Sequence, residues 1–375
     1  MTTRLDDDLR LLAALDRRTT TPGERRSAEL IAGRLREIGA DEVTVSSFRG
    51  PSSWAPAQLA YLGAGVALGL VPGRLARVAA LAVAGLYEAE TSGRIAWAQR
   101  AAATGRGVSV SARLPAEGTA ERTLVLLAHH DAAHTGLVWH PHAVALSRGR
   151  ARRTGRALPS HGPALAGLVA MAIPSRPVRR AARVLLALGA ALMVESMRSP
   201  TTPGANDNAS GVAAVLELAR RLAAAPLPGT EVLVVFPGGE EVGNAGMRAW
   251  LRDVRPGLDP STTLVVNLDA VGSAGDLAVS EREGLSTGFA DDDVALALAA
   301  AGQEDVPLQV AGIPNATDAV LARHAGLRTI SLLSLADGWI GHLHRRTDTP
   351  DRVSARTLDD AVRLTERIAR NWARP

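Results

Sequence analysis

The 375-residue chain reads as an α/β protein: a three-layer α/β/α sandwich around a mixed, largely parallel sheet, with two inserted apolar helical hairpins. Three observations predict this. Apolar runs of strand length at 123–131, 231–237, 262–269 and 327–335 alternate with helix-period segments at 210–225, 292–302, 316–325 and 355–373, the pattern of strands covered by helices on both faces. Three of the strand runs end in His or carboxylate residues, and the carboxyl ends of the strands are where open α/β sheets bind ligands. Two detours, at about 50–97 and 138–198, interrupt the alternation with long apolar stretches. The expectation is one catalytic domain over 1–375, with the detours forming a helical cap or a membrane-associated subdomain.

In chain order, residues 5–16 suggest a short helix, and TPGERRSAELIAGRLREIGA (21–40) a clearer one, with Pro22 suited to its first turn and Gly39 to its end. DEVTVSSF (41–48) alternates as a strand does. Residues 50–73 carry no charge, and apolar runs follow at 78–87, 163–174 and 184–194. Strand-like sequence resumes at 107–115. Ser210 stands where an N-cap would open the helix at 210–225.

Composition narrows the chemistry. There is no cysteine, which removes disulfides, thiolate nucleophiles, iron–sulfur clusters and zinc fingers. All 42 basic residues are Arg, and net charge is +4; the pI of 10.6 reflects the high pKa of guanidinium rather than a large excess of charge. With 3% aromatic residues there is little to stack on bases, and no nucleic-acid partner is expected. The start, MTTRLDDDLRLL, lacks a basic segment followed by an apolar one, so no signal peptide is expected and the reading is cytoplasmic, with membrane association through the hairpins left open.

The residues that carry chemistry lie after the strands. TLVLLA leads into His129 and Asp131, EVLVVFPGG into Glu240 and Glu241, and TTLVVNL into Asp269. Asp207 sits in PGANDNASG and His344 in GHLHRRTDTP. Two His and three carboxylates (His129, Asp207, Glu241, Asp269 and His344) are a donor set suited to two Zn²⁺ per chain, one carboxylate bridging. Such a pair acidifies a bridging water into a nucleophile, and Glu240, adjoining a ligand, is the natural general base.

These pieces resemble the M28 metallopeptidases. The resemblance rests on LLAHHDAA, PGANDNASGVAAVLELAR, VVFPGGEEVGNAGM, VVNLDAVG and HRRTDT, in that order, with intervals of 78, 34, 28 and 75 residues between His129, Asp207, Glu241, Asp269 and His344. It covers roughly 20–48, 107–136 and 200–373. It implies a co-catalytic dinuclear zinc aminopeptidase acting on a peptide or aminoacyl substrate. One zinc would take His129, Asp207 and Asp269; the other would take Asp207, Glu241 and His344. Asp207 bridges, Glu240 is the base and Asp131 orients His129. Asp318 and Asp348 fall at family positions near the site. Gly238 and Gly239 depart from the family, which often has Ala or another small apolar residue before the Glu pair. Both Tyr lie early, at 61 and 87, which leaves a metal, a backbone N–H or a His to polarise the substrate carbonyl. The alternatives carried alongside are a glutaminyl-cyclase-like single-zinc acyltransferase and a catalytically inactive membrane-associated binding protein.

Other features have plainer readings. His130, His134, His140 and His142 read as an exposed polar loop, and the five Arg in 148–156 as a solvated linker. The apolar runs leave three readings: a soluble cap, helices dipping into an anionic membrane surface, or spanning helices. The second hairpin lies between His129 and Asp207 in sequence, so it is expected near the site, where a cap would restrict substrate size.

Overall fold

The computed structural model describes residues 3–374. The chain runs α1 (Thr3–Ala13), α2 (Pro22–Ile38), β1 (Asp41–Gly50), α3 (Ala55–Leu70), α4 (Arg74–Thr91), α5 (Trp97–Ala101), β2 (Gly105–Leu114) and β3 (Glu117–Leu127). It continues with α6 (Ala145–Thr154), α7 (Gly162–Ala170), α8 (Arg176–Arg198), α9 (Gly211–Ala224), β4 (Pro228–Phe236), α10 (Ala245–Val254), β5 (Thr263–Leu268) and β6 (Asp276–Glu283). It closes with β7 (Thr287–Gly288), α11 (Asp291–Glu304), β8 (Leu308–Ile313), α12 (Asp318–His324), β9 (Arg328–Leu335) and α13 (Ala355–Trp372).

The strands form one mixed sheet in the order β1-β2-β4-β3-β5-β9-β6-β7, with β8 parallel to β6. The centre, β4-β3-β5-β9, is parallel, and antiparallel pairs flank it on both sides. Alternation along β3 shows the layering. Leu124 and Leu126 point into the core built with α1, α2, α9 and α13, while Val125 and Leu127 point into the opposite core with α10 and α12.

Local signals explain several boundaries. Thr21 caps α2 by accepting the Glu24 N–H at 3.3 Å, Pro22 opens the helix, and Gly39 closes it at φ +83°. Ser210 does not cap α9: it is itself helical, and its hydroxyl donates to the Asn206 carbonyl at 2.6 Å. The Asn208 side chain instead accepts the Gly211 N–H at 3.0 Å. Strands β6, β7 and β8 have no counterpart in the sequence reading. β6 carries four charged residues in its eight, β7 is two residues long, and β8 pairs only with β6, so alternation alone is a weak signal for them.

The two detours form one body. Helices α3, α4, α7 and α8 share a core around Tyr61, Leu62, Tyr87, Leu168 and Leu186. Tyr61 donates its hydroxyl to the buried carboxyl of Glu90, so both tyrosines serve this bundle's interior. No helix among the described residues is long and apolar enough to cross a membrane. The Arg-rich 148–156 segment is mostly helix α6 rather than a linker, and it ties to the turn after β9 through Arg152–Asp337 (2.9 Å) and to β6 through Arg156–Glu281 (2.6 Å).

Candidate metal centre

Every expected ligand lies just past the end of a strand or in a loop folded against those ends. His129 and Asp131 follow β3, Glu240 and Glu241 follow β4, and Asp269 follows β5. Asp207 precedes α9, and its peptide bond to Asn208 is cis. His344 stands in the loop after β9. These seven residues converge, and all but Glu240 and Glu241 are at least nine-tenths buried.

The two carboxylate oxygens of Asp207 face different histidines. Oδ1 lies 3.2 Å from His129 Nε2, and Oδ2 lies 3.1 Å from His344 Nε2. Asp269 Oδ2 stands 3.8 Å from His129 Nε2, and Glu241 Oε2 stands 3.0 Å from His344 Nε2. Asp207 is thus common to two triads, one completed by His129 and Asp269 and the other by His344 and Glu241. Single donor atoms of His129, Asp207 and Glu241 also lie within 4.8 Å of one another.

Backbone anchoring fixes these donors. Asp131 accepts the N–H groups of Glu240 (3.1 Å) and Glu241 (3.3 Å) and the Thr19 hydroxyl (2.9 Å), while its Oδ1 lies 3.4 Å from His129 Nδ1. That last separation is an ion-pair distance rather than a well-formed hydrogen bond, and His129 Nδ1 has no hydrogen-bond partner among the described residues. Asp348 accepts the N–H groups of Asn206 (2.8 Å) and Asp207 (3.1 Å). Asn208 binds the Leu268 carbonyl and the Ala270 N–H, each at 3.0 Å, and so holds the loop bearing Asp269. Asp318 accepts from Asn244 (3.0 Å), which also donates to Glu240 Oε1 (3.3 Å).

Electrostatics show a site short of positive charge. Burial and the neighbouring Glu241 and Asp269 push the Glu240 carboxyl well above its ordinary value, with His129 opposing. Burial likewise raises Asp269, assisted by Asp207, Glu283 and Glu241 against the pull of His129. Burial pulls the His344 imidazole down, but Glu241 and Asp207 outweigh it and raise it to about 10. Burial lowers His129 too, and contacts with Asp131 and Asp207 reverse the sign. Glu241 Oε1 is buried without a hydrogen-bond partner among the described residues, a cost that a cation among these donors would relieve. Nitrogen and carboxylate donors with no sulfur suit zinc.

Sequence reasoning missed several supports. Arg17 is fully buried and donates to the carbonyls of His130 (3.1 Å), Pro203 (3.0 Å) and Gly204 (2.7 Å), placing a guanidinium beneath the acidic cluster. Trp139, from the second detour, packs edge-on to His344 with ring centroids 4.4 Å apart, and Trp54, from the first, lies 6.4 Å from Trp139. Both detours therefore meet at the site. His130 and His134 are not in an exposed loop: His130 Nε2 lies 2.9 Å from the Val108 carbonyl and His134 Nδ1 lies 3.0 Å from that of Ser199. A buried histidine beside a ligand leaves no distinct mark in a polar sequence.

The departure at Gly238-Gly239 has a steric reason. A Cβ on Gly238 would sit 2.3 Å from the Val108 carbonyl oxygen, and one on Gly239, at φ +65°, would sit 2.8 Å from the Phe48 ring.

The model of peptidase family M28 matches residues 191–369, a segment that holds Asp207, Glu240, Glu241, Asp269 and His344. The segment is similar to peptidase family M28 over just under half of the chain. A further likeness is to the probable lipoprotein aminopeptidase LpqL of Mycobacterium tuberculosis, 38% identical over 114 residues, which are 30% of this chain and 21% of that protein. The match thus spans about a fifth of the curated relative. Among solved structures, a leucine aminopeptidase precursor from Bacteroides thetaiotaomicron shares the fold at a TM-score of 0.60 and 15% identity, over 98% of this chain and 96% of that one. A glutaminyl cyclase of the same organism aligns at 0.59 and 15% identity over 98% and 97%. A zinc-dependent exopeptidase from Parabacteroides distasonis aligns at 0.57 and 13% over 98% and 97%. The fold shared with these structures accounts for the sheet and its helices.

Proposed function

We propose that this chain is a zinc-dependent peptide hydrolase, an aminopeptidase, that holds two zinc ions per chain. The observation that carries the reading is the division of Asp207 between His129 and His344, with Asp269 on one side and Glu241 on the other. The names of the similar proteins support it: a lipoprotein aminopeptidase, a leucine aminopeptidase precursor and a zinc-dependent exopeptidase.

His129, Asp207 and Asp269 would hold one ion, and Asp207, Glu241 and His344 the other. Zinc bound there supplies Lewis acidity, which polarises a carbonyl and acidifies water. The chain's own residues do the rest. Asp131 fixes the His129 ring and, through two backbone N–H groups, the position of the Glu240–Glu241 pair. Glu240, anchored through its N–H to Asp131 and through Oε1 to Asn244, stands beside Glu241 where a carboxylate can take a proton from water and pass it to the leaving amine. Trp139 and Trp54 wall the His344 side and narrow the approach for substrate. Replacing Glu240 with Gln and assaying an aminoacyl p-nitroanilide tests the role: turnover falls at least about 100-fold with zinc content unchanged, and retained turnover would remove Glu240 as base.

The glutaminyl-cyclase neighbour favours a second reading, an acyltransferase with one zinc. Metal content separates the two, as does the product formed from an N-terminal glutaminyl peptide.

A further inference from the structure

The fused bundle of α3, α4, α7 and α8 has a base and a free end. At the base, Trp54 precedes α3 and packs by Trp139 at the metal centre, and Ser196, near the end of α8, donates to the Thr135 carbonyl at 3.0 Å. At the free end the two hairpin turns meet. Arg179 donates to the carbonyls of Leu68 (3.1 Å), Gly69 (3.3 Å) and Val71 (2.9 Å), and a Cβ on Gly69 would lie 3.0 Å from Met171 Sδ. Sixteen residues of α3 separate the ends, about 24 Å at the helical rise.

The free end is apolar at its tip and basic just behind it. Leu70 and Leu75 are 68% and 85% exposed, and Val71 and Ile173 beside them are also exposed. Arg74, Arg77, Arg176, Arg180 and Arg183 occupy the first two turns or so of α4 and α8. Among the described residues, none of the five forms an ion pair. The reason lies in the sequence. Residues 43–87 and 132–194 hold twelve Arg and no Asp or Glu, although acids number 38 in the whole chain. These segments thus carry +12 of a net +4 and leave the remainder at −8.

We propose that this free end is a docking surface for an anionic phospholipid membrane, entered end-on. Leucine and valine side chains at the tip reach the acyl boundary, and arginines within about 10 Å behind them lie at headgroup depth, the arrangement that interfacial binding requires. Charge decides the occupant. Two such ends from two copies would press unpaired arginines together. A nucleic acid would match the charge but not the exposed leucines. Docking of this kind holds the metal centre about one helix length above the bilayer.

Co-sedimentation of the full chain with phosphatidylcholine vesicles, and with phosphatidylcholine vesicles containing phosphatidylglycerol, tests the proposal. Binding is expected only to the second, weakening with salt, and by about five-fold for each of Arg74, Arg176 and Arg180 changed to Gln. Leu70→Ser with Leu75→Ser is expected to weaken it at least about ten-fold. Thermal melting and peptide hydrolysis without vesicles should stay at wild-type values, which shows the variants folded. Equal binding to both vesicle types, binding to neither, or binding untouched by these substitutions would overturn the proposal. So would a concentration-dependent dimer in light scattering that the same substitutions dissolve, since the acidic remainder of a second copy would then be the occupant.

Discussion

In the proposed reading Asp131 touches the candidate metal centre only through other groups, and its replacement by Asn isolates what that positioning does. The carboxylate gathers four contacts: the N–H of Glu240 and His129 Nδ1 on Oδ1, and the N–H of Glu241 and the Thr19 hydroxyl on Oδ2. An amide keeps one acceptor oxygen and turns the other into a donor. With NH₂ at Oδ1, the His129 ring loses its partner and the Glu240 N–H faces another donor. With NH₂ at Oδ2, the Thr19 hydroxyl can rotate to accept, and only the Glu241 N–H is orphaned. The second arrangement costs less, about 1–3 kcal/mol for one buried unsatisfied donor. Either one removes the negative charge that orients the imidazole. Losing such a partner to a ligating histidine lowers metal affinity about 10–100-fold. Zinc affinity measured by competition against a chromophoric chelator should therefore fall in that range for Asp131→Asn, whereas Glu240→Gln should stay within about three-fold of wild type. Wild-type zinc affinity in Asp131→Asn would refute the positioning argument.

Three further outcomes follow from the packing. Gly238→Ala places a methyl against the Val108 carbonyl oxygen and should lower stability by about 1–3 kcal/mol in urea unfolding; a neutral result would mean that strand β2 can yield there. Glu88 accepts from His161 at 2.8 Å and from Ser286 at 3.1 Å, linking α4 to α7 and to the turn before β7, and although burial opposes it, the His161 contact holds its carboxyl below the ordinary value. A depressed carboxyl stabilises above the unfolded pKa and loses that contribution as pH falls through the folded one. Glu88→Gln should thus cost about 1 kcal/mol near neutral pH and converge with wild type below about pH 4; a constant gap across the titration would contradict this. Deleting 140–198 should widen acceptance of long peptides relative to short ones, because the bundle's base walls the site; an unchanged length preference would remove the cap's role in selection.

Much of the sandwich is legible in the sequence because its strongest signals are local. β3, β4, β5 and β9 are apolar runs of strand length, and α9 and α13 have clear helical periods. Thr21, Pro22 and Gly39 mark α2 with residue types that serve no other purpose there as well. The candidate site residues stand out in the sequence because ligand-binding sheet edges place polar residues immediately after apolar runs, as with His129 after Leu127 and Asp269 after Leu268. The supports were not readable. Arg17 reaches Pro203 and Gly204 across nearly half the chain, and one Arg among 42 carries no mark of being buried. Trp139 meets His344 only because two distant segments fold together. Ser210 shows the limit of cap rules: Asn208 sits nearer the orphaned N–H of Gly211 and takes it.

The central claim is that Asp207 is shared between two metal positions. Elemental analysis of zinc-reconstituted, dialysed protein tests it most directly, run beside Asp269→Ala and Glu241→Ala. The account predicts two zinc per chain in the wild type and about one in each variant, since each substitution removes a donor from a different triad. One zinc in the wild type, or none, would contradict it.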